Sequence, residues 1–152
     1  MYEWHENVKV EVRDRDGVLL DSTQNHNLIT DGALNWLMDA LRSTQNSKIY
    51  YLGWGASSGA TSTAQTALST ESGRKLVTTQ SSGTVGVCQT ITYIAPTEGN
   101  GNIQELAWFA GSSASATAGS GRMISRYLYS RTKTSLENLT ITRTDTLVRT
   151  TS

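Results

Sequence analysis

His5 and His26 are the only imidazoles in this 152-residue chain, and Cys88 is its only thiol. A metal centre needs His, Cys or carboxylate ligands at short, recurring spacing. Neither histidine has a second ligand three or four residues further on. Nucleophilic catalysis needs Ser, Thr or Cys beside a base, and among many hydroxyls no spacing singles one out. Glu98 and Glu105 flank "GNGNIQ" and could in principle be the paired carboxylates of a glycosidase. One lies in a turn and the other at a strand end, which are ordinary structural positions. "GWGASSG" (53–59) and "GSGR" (119–122) lack the Lys–Ser/Thr ending of a phosphate loop and the apolar helix that follows one. The sequon "NLT" (138–140) matters only in a secreted chain. The residues nominate no enzyme, no cofactor and no metal.

Composition narrows the classes further. One cysteine excludes an internal disulfide, and "VGVCQTITYI" makes Cys88 a small buried hydrophobe of a strand. "MYEWHENVKV" lacks the basic start and apolar run of a secretion signal. No stretch approaches the ~20 apolar residues that span a bilayer. The expectation is a chain made in a cytoplasm. A formal net charge of zero argues against generic nucleic-acid binding. The charge is uneven, however: residues 1–39 hold eight acids against three bases, and residues 122–149 six bases against two acids. Either these are mixed solvated faces, or an acidic front meets the basic back of another copy.

The elements that would position these residues are mostly strands. "VKVEVR" (8–13) alternates with period two and puts Val8, Val10 and Val12 on one face. "DRDG" is a turn, so residues 8–21 form a hairpin. Leu34, Leu37, Met38 and Leu41 follow helical spacing, with Trp36 and Ala40 bordering the stripe. This predicts a helix over 31–42 that lies on a sheet by that stripe, capped by Thr30 or Asp31, with Arg42 in its last turn. "KIYYLGW" (48–54) is a strand. Residues 55–74 are small and polar, with Leu68 as the one anchor, and form a surface loop. Strands follow near 75–80, 84–94, 103–109, 122–130 and 136–148, and "SSASATAGSG" is a mobile loop at the edge. The fold class is mainly β: one β-sandwich or jelly-roll-like domain over 1–152, with an N-terminal arm (1–7), the hairpin (8–21), and a sandwich with its helix (27–148).

Tyr2, Trp4, Tyr50, Tyr51, Trp54, Trp108, Tyr127 and Tyr129 spread over this pattern. Most belong to the core or a sheet face. Tyr2 and Trp4 precede the first predicted strand, and an arm with two aromatics docks either on its own fold or on a neighbouring subunit. On that reading, residues 1–6 are removable without unfolding the domain.

Six segments in order carry a likeness: "NLITDGALNWL" (27–37), "IYYLGWG" (49–55), "TALSTE" (66–71), "GNGNIQELAWF" (99–109), "SRYLYSRTKTS" (125–135) and "LTITRTDTL" (139–147). Together they make the chain resemble small β-sandwich virion proteins of tailed bacteriophages, with Trp54 and Trp108 bulkier than is usual there. The resemblance implies a non-enzymatic protein that assembles as a homo-oligomer, a trimer. It would decorate and stabilise the capsid shell as a cement protein, on the major capsid protein at the head surface, without nucleic acid or membrane. Tail, baseplate or fibre component is the alternative, and a carbohydrate-binding module with exposed Trp and Tyr is a third. Tyr2, Trp4, His5, Trp54, Arg126 and Arg131 are the candidate subunit or shell contacts.

Overall fold

The alternation seen at Val8, Val10 and Val12 runs further than the hairpin it predicts. The computed structural model describes residues 2–42 and 48–150. In it β1 is one 13-residue strand, Tyr2–Asp14, and the three valines are 0, 1 and 0% exposed. From Tyr2 onward the expected arm is therefore strand. It pairs along its whole length with β10 (Glu137–Arg149), from Tyr2 opposite Arg149 to Asp14 opposite Glu137. A 13-residue partner supplies backbone hydrogen bonds that a free arm would lack.

The turn is built as the sequence requires. The Asp14 carboxylate accepts from the Asp16 and Val18 amides at 2.9 and 2.8 Å, and Gly17 takes φ 84°. The chain returns as β2 (Leu19–His26), crosses at Asn27, and enters the second sheet as β3 (Leu28–Ile29). There follow α1 (Asp31–Arg42), β4 (Ile49–Gly55), β5 (Glu71–Leu76), β6 (Thr79–Ser81), β7 (Val87–Ile94), β8 (Gly101–Ala110) and β9 (Arg122–Lys133). The strand expected near 75–80 is thus two, β5 and β6, in different sheets.

Two five-stranded antiparallel sheets result, ordered β2-β1-β10-β7-β6 and β3-β9-β8-β4-β5. Val8, Val10, Val12, Leu139 and Ile141 from the first meet Leu52, Leu106, Trp108 and Ile124 from the second. This is the β-sandwich expected from the strand spacing. The continuous run "LAWFA" in β8 is buried on both faces. Leu106 and Trp108 point into the sandwich, while Ala107 and Phe109 lie outside it under Leu68, the predicted anchor.

The helix falls where expected, but its orientation is different. Thr30 is the cap: its hydroxyl accepts from the Ala33 amide at 3.3 Å and donates to the Met123 carbonyl at 2.8 Å. Gly32 comes so near β9 that a Cβ there would stand 2.8 Å from that same carbonyl oxygen. This approach turns Ala33 inward, fully buried, with Trp36 and Leu37 partly covered. Leu34, Met38 and Leu41 consequently face outward at 54, 53 and 75% exposure. The apolar stripe does not lie on the sheet, because the small residues at the start of the helix pack closer than the large ones can.

Candidate functional site

Charged residues placed at inward positions of the alternation make the most unusual chemistry in the molecule. The inward row of β1 continues from Val8 to Glu6 and Trp4, and that of β10 from Ile141 to Arg143, Asp145 and Leu147. Glu6 is 3% exposed and Arg143 is fully buried. The Arg143 guanidinium holds Asp145 with two parallel bonds, each of 2.7 Å, and stands 3.0 Å from a Glu6 carboxylate oxygen. It also donates to the Ser125 hydroxyl, which in turn donates to Glu6 at 3.0 Å. Trp4 Nε1 donates to Asp145 at 2.9 Å, and the Trp108 ring lies 5.5 Å from the guanidinium carbon.

Two carboxylates thus share one cation. Burial pushes the Glu6 carboxyl up to about 7, against the pull of Arg143 and helped by the negative charge of Asp145. The second Glu6 oxygen, Oε2, has no hydrogen-bond partner. That is the environment in which a carboxyl takes up a proton near neutrality.

Above this cluster lies a groove of about 280 Å³, with Arg143 and Asp145 in its floor and Trp4, Trp36, Leu37, Ile49 and Leu147 in its walls. The Trp4 and Trp36 rings meet at 6.4 Å. Cys88 also lines it, its thiol raised above the usual value by burial, which disfavours the thiolate. Such a site suits an apolar side chain. The floor cation is already satisfied by its own carboxylates.

Two further arginines hold the loops. Arg126, 1% exposed, pairs with the fully buried Glu105 at 2.7 Å on the outer face of the second sheet. It reaches the Ala60 carbonyl and Gln65 side chain, each at 3.1 Å, and Glu105 accepts from the Thr70 amide at 3.4 Å. This pair fixes the Gly/Ser/Thr tract onto the sheet. Arg74, paired with Glu71 and stacked 3.7 Å above the Phe109 ring, donates to the Ser120 carbonyl at 2.6 Å. Glu71 accepts from the Gly119 amide at 3.1 Å. The loop 111–121, expected to be mobile, is pinned there.

The predicted contact residues do not form one patch. Tyr2 is 64% exposed beside Arg149, and Trp4 is half-buried in the groove wall, so residues 2–6 dock on their own fold. Their removal would strip Trp4 and Glu6 from the cluster. His5 is exposed, 3.2 Å from Glu3. Trp54 and Arg126 are buried and offer no surface to a neighbour: the indole lies over Gly73, and the guanidinium is taken by Glu105. Arg131 pairs with Glu137 at 2.7 Å, toward the opposite end of β10.

The acidic front and basic back do meet, but inside one chain, as Glu6–Arg143, Asp21–Arg131 and Asp39–Arg122. The antiparallel β1–β10 pairing brings the first of these together. The Glu6–Arg143–Asp145 cluster has no local spacing in the sequence, because its members come from two strands at opposite ends of the chain. The available signal was charge in the inward register of two alternating strands. Among the described residues, no three His, Cys, Asp or Glu side chains gather to hold a metal, and no helix is long and apolar enough to cross a membrane. No protein-family model, curated protein or solved structure matches this chain.

Proposed function

We propose that this protein is a structural component of a tailed-phage particle, decorating the capsid shell and stabilising it as a homo-oligomer, a trimer. The observation that carries this reading is apolar surface in several separate places on a sandwich with two of its loops pinned by arginine–glutamate pairs. Leu34, Met38 and Leu41 are exposed on the helix; Val18, Leu19, Leu20 and Leu136 cluster at the turns near one end of β1 and β10; Leu147, Val148 and Tyr2 lie at the other. Where such residues adjoin, as along the helix, they fit contact with other protein. A cement protein uses broad surface and not a catalytic pocket, and many modest interfaces add up over a shell. The groove at the Trp4 end would take an apolar side chain of the major capsid protein. The tryptophans on which a sugar would stack are turned inward: Trp54 and Trp108 are buried, and Trp4 and Trp36 cover one another.

Quantitative mass spectrometry of purified particles, against the major capsid protein, tests the proposal. Hundreds of copies per particle are expected. A few to a few dozen would move the protein to the tail, baseplate or a fibre. Absence from particles would overturn the virion reading.

A further inference from the structure

We infer that α1 is a self-pairing surface: the helix packs antiparallel against the same helix of a second copy, about a two-fold axis at Met38. Leu34, Met38 and Leu41 form an outward stripe that no described residue covers. Its order is self-complementary. An antiparallel helix reversed about Met38 brings Leu34 of one copy level with Leu41 of the other, within about 1.5 Å along the axis at 1.5 Å per residue. The charges agree with that register. Asp31 is in the first turn and Arg42 in the last, on the same flank of the stripe. Each Asp31 therefore comes within reach of the partner's Arg42, and the two helix dipoles oppose one another. A parallel pair would instead put the Asp31–Arg42 flanks of the two copies on opposite sides of the seam, with no such cross-pair and with the helix dipoles aligned.

The contact concerns the isolated chain and does not rest on the capsid reading. Because its symmetry is two-fold, it coexists with a three-fold assembly only by linking trimers. The protein in solution is then two copies, or six where both contacts form.

Helix axes 8–10 Å apart, with Cα atoms about 2.3 Å from each axis, leave the two Met38 Cα atoms roughly 4–5 Å apart. That is within reach of a disulfide. Two Leu34 Cα atoms would lie about 12 Å apart along the axis, outside that reach. In a Cys88→Ser background, Met38→Cys should give a disulfide-linked dimer under mild oxidation. Leu34→Cys alone should not, while Leu34→Cys mixed with Leu41→Cys should. Met38→Lys with Leu41→Lys, at two exposed positions and with a good helix former, should halve the sedimentation mass, from two copies to one or from six to three, with unchanged circular dichroism. A monomeric wild type at 100 µM (roughly the concentration at which a weak contact of this size still forms) would overturn the proposal. So would an unchanged mass in a folded double-lysine variant, or Leu34→Cys linking to itself as readily as Met38→Cys.

Discussion

Replacing Glu6 by Gln should stabilise the protein at pH 8 and leave it unchanged near pH 4. Glu6 titrates at about 7 in the fold against an ordinary value of 4.5. Below 4.5 it is protonated in folded and unfolded chains alike, so its contribution is fully present. Between 4.5 and 7 the folded state holds the proton more tightly, and stability falls as pH rises; above 7 the loss is constant. At about 1.4 kcal/mol per pH unit this amounts to about 3 kcal/mol. For a chain of this size, that is a melting-temperature difference on the order of 6–12 °C. Glutamine keeps the shape without the charge, and Arg143 still holds Asp145 through two bonds, so no cation is orphaned. The carboxylates of Glu98 and Glu137, held low by hydrogen bonds from Lys75 and Arg131, act at more acid pH and leave this window clear. Urea unfolding of both proteins at pH 4, 6 and 8 measures the effect. A glutamine variant less stable than wild type at pH 8 would refute the reasoning, because it would show that the Glu6–Arg143 ion pair outweighs the burial of its charge.

Other outcomes follow from the loop clamps and close approaches. Arg126→Met leaves Glu105 charged and buried without its partner; a loss of about 3–5 kcal/mol is expected, with new protease cleavage in residues 56–70, and Glu105→Leu in addition should restore much of the stability. Gly73→Ala would set a Cβ 2.5 Å from the Trp54 indole and should cost about 1–3 kcal/mol. Gly83→Ala, with nothing within 4 Å, should change the urea midpoint little. In Arg74→Met the loop 111–121 should gain fast amide exchange, because Ser120 and Ser115 lose their donor.

What could be read from the sequence was whatever is local. The valine alternation located β1, "DRDG" located its turn, and the helix came with its bounds because Thr30 and the apolar spacing mark it. Leu68 was legible as the one apolar residue in a polar tract. The direction of the helix stripe was not, because it depends on how closely Gly32 approaches Met123, a contact across 91 residues of chain. Nor were the roles of Arg126 and Arg74: each looks like a surface cation until the fold places a carboxylate and a loop backbone around it. The Glu6–Arg143 cluster lies between these cases. Alternation put both charges in the inward register, but only the β1–β10 pairing shows that they meet.

That pairing also sets an order of events. In the sheet β2-β1-β10-β7-β6, the central strand is the last of the five to be synthesised. On a ribosome adding about 5–20 residues per second, β1 waits roughly 6–30 seconds for its partner. During that interval the β1–β2 hairpin and the β6–β7 pair have nothing joining them, and two strand edges stand open. A nascent chain stalled before Glu137 should therefore be digested by protease across residues 2–26, and protection should arrive in one step once β10 has emerged. The strand that closes the sandwich also delivers Arg143 to Glu6, so the emergence of β10 and the burial of the charge cluster are a single transition.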